Sequence, residues 1–138
     1  MQNTGKASEK QFDDHWLQYG KRALVYKFED GAALYGLNKK AVANSKKPCD
    51  RIVVHDGRVI FAEVKSTQNE TSFPFSIIKP GQIGYAKMIR AAGGTYEFFV
   101  HSLALNKWFR IPAGVVLDND KKSLRWDDLT TLGLEFDI

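Results

Sequence analysis

From Arg51 to Thr67 the chain reads RIVVHDGRVIFAEVKST, two β-rich apolar runs on either side of Asp56-Gly57. That dipeptide between such runs is the strongest short-range signal for a two-residue hairpin turn. Upstream, Ser8-Glu-Lys-Gln11 has the form of a capping box, and Phe12, Trp16 and Tyr19 follow at helical spacing with Gly20 as a stop, which predicts a helix opening at Ser8. Ala23 to Phe28 reads as a strand. The Gly-rich stretch from Asp30 to Gly36 reads as turn or loop, and Lys39 to Pro48 as a basic connection without a clear period. A polar loop carrying aromatics is expected from Ser66 to Lys79. Pro80 suits the first position of a second helix, with Ile83, Ala86, Ile89 and Ala92 on its apolar face and Gly93-Gly94 at its end. Tyr96 to Leu103 and Lys107 to Ile111 read as two further strands, and the tail from Pro112 carries a short helix near Trp126 to Leu132. Helix, strand, hairpin, helix, strand, strand is an α/β order, which predicts one domain with a central mixed β-sheet flanked by helices.

Composition narrows the class without naming a function. The 138 residues are 43% hydrophobic and 26% charged, as in ordinary globular chains. No apolar run approaches the roughly 20 residues needed to span a bilayer. The polar N-terminus has no apolar signal region, and the single cysteine, Cys49, excludes an internal disulfide framework; a cytoplasmic protein is expected. The net charge of +4 is a weak pointer to a polyanionic partner. Its distribution is more informative, with basic clusters at Lys39-Lys40, Lys46-Lys47 with Arg51, Lys79, Lys87 with Arg90, and Lys121-Lys122 with Arg125.

The hairpin register brings charge into this picture. A two-residue turn at Asp56-Gly57 pairs His55 with Arg58, Val54 with Val59 and Val53 with Ile60; continued along the ladder, it sets Asp50 opposite Glu63. Directly opposed side chains lie about 5 Å apart on one face, where two like charges are destabilising unless a cation or a shared proton joins them. Lys65 is two residues beyond Glu63, hence on the same face, and Thr67 follows if the strand continues. Ile52, Val54, Val59 and Phe61 share that face, so the charges fall at the margin of an apolar layer on which a helix can pack. Two carboxylates beside a lysine suit a hard cation such as magnesium and the attack of water on a phosphodiester. The competing reading is an exposed Glu63–Lys65 pair with Asp50 at a strand end, which contributes little. A one-residue change of register would put Asp50 and Glu63 on opposite faces.

Asp50 followed thirteen residues later by Glu63-Val-Lys65 resembles the D…(D/E)-x-K signature of the PD-(D/E)XK nucleases. Gly5-Lys-Ala-Ser-Glu9 resembles the G-x-x-x-E of the first helix in Holliday junction resolvases of that superfamily. Glu63-Val-Lys-Ser-Thr-Gln-Asn-Glu-Thr-Ser-Phe-Pro-Phe75 is similar to the E-A-K…T-S-F-P-L region of RecU-type resolvases, and Ile77-Ile-Lys-Pro-Gly-Gln82 with Gly93-Gly94 parallels their next helix. The resemblance covers about residues 5 to 111, which leaves 112–138 as a C-terminal extension of a single nuclease domain. It implies an αβββαβ core of the restriction-endonuclease type and a compact resolvase close in size to archaeal and phage members, consistent with a phage source. Only about thirty residues separate Tyr19 from Asp50, so the long stalk of RecU-type proteins is abbreviated here, and Lys79 and Gly81 stand where the family's helix motif has histidines.

The resemblance implies a magnesium-dependent homodimer, with Mn²⁺ able to substitute, that cuts branched four-way DNA in pairs and leaves 5′-phosphate ends. Carried over by position, Asp50, Glu63 and the Val64 carbonyl would bind the metal, and Glu9 would add a carboxylate from the first helix. Lys65 would activate the attacking water, and Gln82 would orient substrate or water; a polar first-turn residue is the plainer reading of Gln82. Lys46, Lys47, Arg51, Thr67, Ser72 and Lys79 would contact DNA, with Phe73 or Phe75 stacking where strands part; Thr67 could equally be a strand-end residue with no role, and those aromatics could equally anchor a small core. His15, His55 and His101 match no catalytic position and are expected to be structural or at the surface. The alternatives are a flap or fork endonuclease of the same superfamily, or a catalytically silent DNA-binding domain.

Overall fold

The computed structural model describes residues 4–29 and 47–138. In chain order the elements are α1 (Thr4–His15), a 3₁₀ turn (Trp16–Arg22), β1 (Ala23–Lys27), β2 (Arg51–His55), β3 (Arg58–Thr67), β4 (Ser72–Pro74), a second 3₁₀ turn (Phe75–Ile77), α2 (Pro80–Ala91), β5 (Thr95–Ser102), β6 (Lys107–Pro112), α3 (Ala113–Leu117), β7 (Ser123–Arg125), α4 (Trp126–Thr131) and β8 (Glu135–Phe136). The main sheet runs β1-β2-β3-β5-β6-β8, and β4 pairs with β7 in a small second sheet. Only β3 and β5 are parallel; the other neighbours are antiparallel. A parallel pair needs a crossover connection, and α2 supplies it. The mixed sheet flanked by helices is the fold expected from the order of elements.

The hairpin has the expected register, His55↔Arg58 through Arg51↔Ala62. Asp56 and Gly57 both have positive φ, 52° and 71°, as a two-residue turn of this type demands. Alternation along the strands divides the sheet into two faces. Val53, Ile60, Ala62, Val64, Phe99 and Trp108 pack under Phe12 and Trp16 of α1. Tyr96, Phe98, Val100, Phe109 and Ile111 pack on the other side with Phe73, Ala86, Trp126 and Leu129. Glu63, Lys65 and Asp50 belong to this second face, beside α2. Of the apolar residues expected around them, Val59 is half exposed and Phe61 is packed against the core.

Three elements differ from expectation. α1 begins at Thr4 rather than Ser8, and Ser8 is buried with its Oγ 2.8 Å from His101 Nδ1, so its hydroxyl serves a tertiary contact instead of a cap. The α-helix ends at His15, and the 3₁₀ turn carries the chain on to Arg22 through Gly20 at φ 54°. The tail beyond Pro112 does more than form one short helix: β7 supports β4, and β8 adds a strand to the main sheet. The Gly-rich stretch, the basic connection up to Lys46 and most of the counterpart of the abbreviated stalk lie outside the described residues. Among the described residues, no helix is long and apolar enough to cross a membrane.

Candidate active site

The site is built where the sheet is left incomplete. β3 continues to Thr67 alongside β5, but β2 starts only at Arg51, opposite Ala62. Among the described residues, 63–67 therefore have a strand on one side and a gap on the other. Asp50 fills that gap: its Oδ2 accepts the Val64 N–H at 3.0 Å, which would otherwise be an unpaired edge amide. The short segment leading to Asp50 is pinned as well. Tyr96 Oη donates to the Pro48 carbonyl at 3.0 Å, and the Phe28 N–H donates to the Asp50 carbonyl at 3.0 Å.

Glu63 stands in the same gap, 1% exposed. Its Oε2 accepts from Gln82 Nε2 at 2.9 Å and lies 3.4 Å from Lys65 Nζ. Gln82 is the third residue of α2, and its Oε1 accepts the Lys79 N–H at 2.9 Å, closing a capping box. That bond fixes the amide orientation, so the Nε2 end must face Glu63. The helix-capping and site-facing readings of Gln82 are thus one arrangement. Glu63 Oε1 is buried with no hydrogen-bond partner among the described residues. Burial, then the neighbouring Asp50 carboxylate, push the Glu63 carboxyl up to about 8 against the pull of Lys65. Asp50 moves the other way: burial opposes its charge, but the adjoining Glu63 carboxyl, the Val64 N–H and Lys47 outweigh it and lower its pKa. The opposite directions make Glu63, rather than Asp50, the acid of the pair that takes up a proton first as pH falls. Nearby, burial and the two acids push the Cys49 thiol up to about 12, so it is inert.

A cleft of about 400 Å³ opens over these groups between α1 and α2, lined among others by Glu9, Lys47, Asp50, Glu63, Lys65 and Gln82. The oxygen left without a partner, the proton-holding carboxyl and the hard oxygen donors fit a small divalent cation. Among the described residues no three acidic, histidine or cysteine side chains converge as a ready cluster. Asp50 and Glu63 are the direct pair, and Glu9 arrives from α1 with its Oε1 bound to Arg51 at 2.8 Å. A second cleft of about 410 Å³ lies at the β6–β8 edge, where Lys107 and Glu135 are paired at 3.0 Å; its two acids, Glu135 and Asp137, are exposed rather than buried.

The expected DNA-contacting residues divide. Lys46 lies outside the described residues. Lys47 reaches Asp50 Oδ1 at 3.2 Å, and Lys79 is exposed at the rim of the cleft. Thr67 Oγ1 accepts the Asn69 N–H, and Ser72 belongs to a turn gathered on Asn69 Oδ1, so both help shape the loop. Two expectations are corrected. Arg51 cannot reach a phosphate, because alternation turns it away from Asp50 into the α1 side, where it is buried between Glu9 and Asp13. Phe73 cannot stack on bases, because it is fully buried in the core against Phe75. His101 is structural: buried, stacked on Trp108 and bonded to Ser8. Asp13 was missed, although its spacing of four from Glu9 puts both acids on one helix face.

The sequence profile of RecU, recombination protein U, matches residues 21–136. The chain belongs to the RecU family. This is a family of Holliday junction resolvases, endonucleases of the PD-(D/E)XK superfamily, whose resolvases depend on divalent metal. No curated protein matches the sequence. Among solved structures, the chain is similar to Hjc from Archaeoglobus fulgidus, described as a Holliday junction resolvase from an archaeal hyperthermophile. The TM-score is 0.61, with 95% of each chain covered at 17% identity. That likeness is one of fold, and the six-stranded mixed sheet is what it shares.

Proposed function

We propose that this member of the RecU family resolves four-way DNA junctions as a homodimer, one Asp50–Glu63–Lys65 site per subunit cutting each of two opposing strands. The buried, partnerless Oε1 of Glu63 opposite Asp50 is the observation that carries the reading. Asp50 and Glu63 hold a divalent ion, Mg²⁺ with Mn²⁺ as a substitute. In an extended strand the carbonyl of a residue shares an edge with its N–H, so the Val64 carbonyl is available on the Asp50 side as a third oxygen. Glu9 adds a carboxylate from α1. A bound divalent ion neutralises charge developing on the phosphate and orients the nucleophile. Lys65 holds the attacking water beside Glu63 and takes part in its deprotonation, while Gln82 keeps the Glu63 carboxylate in place. Water adds to phosphorus, the bond to the 3′ oxygen breaks, and the products are a 3′-hydroxyl and a 5′-phosphate. Lys47 and Lys79, with Lys46, contact phosphates around the cleft, and Thr67 and Ser72 present the loop beside it. The protein works in the cytoplasm.

Glu63→Ala and Lys65→Ala test this directly. Both variants should bind a four-way junction in a gel shift and lose cutting by about 10³-fold or more. Full cleavage by either would sink the assignment.

A further inference from the structure

One buried cation joins α1 to the hairpin that carries the acids. Arg51 follows Asp50 directly, so its side chain leaves the opposite face of the strand. It is 1% exposed. Asp13 takes its Nε at 2.7 Å and its Nη2 at 3.0 Å, and Glu9 takes Nη1 at 2.8 Å. Burial alone would favour the neutral form of Arg51, but the bonds to Asp13 and Glu9 outweigh it and raise its pKa. Glu9 and Asp13 are one helical turn apart, which lets both reach a single guanidinium.

The division of these bonds matters. The planar fork to Asp13 matches two nitrogens to two oxygens and neutralises the arginine. Glu9 is held through Oε1 alone; its Oε2 has no hydrogen bond among the described residues, and the residue lines the cleft with Asp50 and Glu63. Two acids and one base leave one negative charge, and Glu9 is its bearer on the cleft side. A staple between helix and strand requires only Asp13 and Arg51. Placing Glu9 on the remaining nitrogen fixes the direction of a carboxylate that would otherwise rotate freely at the cleft wall.

We propose that Arg51 and Asp13 are positioning residues that aim the free oxygen of Glu9 into the cleft, where its charge strengthens cation binding by the Asp50–Glu63 pair. The inference rests on the reading of that pair as a metal site.

The test is calorimetric titration of Ca²⁺ into the full chain at pH 8, for wild type, E9Q, R51K, D13N, E63Q and the double variant E9Q/R51K, each with a thermal melt. Affinity should fall about tenfold in E9Q, R51K and D13N alike, and the double variant should bind no more weakly than either single one. Junction cleavage by R51K should need about tenfold more Mg²⁺ for half-maximal rate, with kcat recovering at saturation. A mere staple would lower the melting temperature and leave Ca²⁺ affinity at the wild-type value, which overturns the proposal. Additive losses in the double variant also overturn it, because Arg51 would then act by a route other than Glu9. If R51K fails to fold, D13N and E9Q carry the same comparison as near-isosteric changes. Wild-type affinity in E63Q overturns the metal-site reading and this proposal with it, whereas loss in E63Q with no change in R51K and D13N overturns the positioning role alone.

Discussion

The proton on Glu63 competes with the metal, and the competition has a calculable size. Its carboxyl is pushed up to about 8 by burial and by Asp50, so below that pH the folded protein holds a proton where a cation must bind. The folded pKa lies above the usual value, so Glu63 contributes stability that is present at low pH and lost as pH rises towards 8. Metal binding acts in the opposite direction, strengthening as the proton leaves. At pH 8 about half the molecules carry the carboxylate, and at pH 6 about one in a hundred, so apparent Mg²⁺ affinity should fall by a factor on the order of 50 between them, roughly 2 kcal/mol. Above pH 8 the dependence should flatten. Calorimetric titration at pH 6 in two buffers of different ionisation heat counts the protons released, and about one per ion is expected. An affinity constant between pH 6 and pH 8, with no proton release, would refute the coupled-pair account.

Other outcomes follow from the same geometry. Lys47 neutralises Asp50 from 3.2 Å, so Lys47→Gln should tighten Ca²⁺ binding a few-fold, as expected for a partly exposed pair worth about 0.5–1 kcal/mol, while weakening junction binding in the same buffer. Lys79 is exposed at the cleft rim; Lys79→Ala should lower the slope of log affinity against log salt by about 1, and an unchanged slope would remove it from the DNA interface. Gly57 sits at φ 71° in the turn that sets the register, and Gly57→Ala should cost about 1–2 kcal/mol in urea unfolding.

Much of this site was legible in the chain because its position follows from a turn. Asp-Gly selects a two-residue connection, the connection sets the pairing, and pairing sets Asp50 against Glu63. The same alternation carried a warning about Arg51, since neighbours on a strand face opposite ways; reading it as a phosphate contact followed the clustering of charge and ignored the pleat. Phe73 was ambiguous for another reason. Its burial depends on β7 and α4, and a three-residue strand leaves almost no periodic signal. Ser8 misled because a hydroxyl that caps a helix and one that meets His101 across 93 residues look identical in sequence. The third acid is the most instructive: spacing could show that Glu9 and Asp13 share a helix face, but only the packing of α1 on β2 shows that one arginine binds both.

The most direct test of the account is cleavage of a fixed four-way junction, beside duplex and flap DNA of the same arm sequence, with Mg²⁺ and with Ca²⁺. The account predicts paired cuts on opposing strands of the junction in Mg²⁺, ends that ligate without further processing, and binding without cutting in Ca²⁺. Preferential cutting of the flap, or no Mg²⁺-dependent cutting of any of the three, would contradict it.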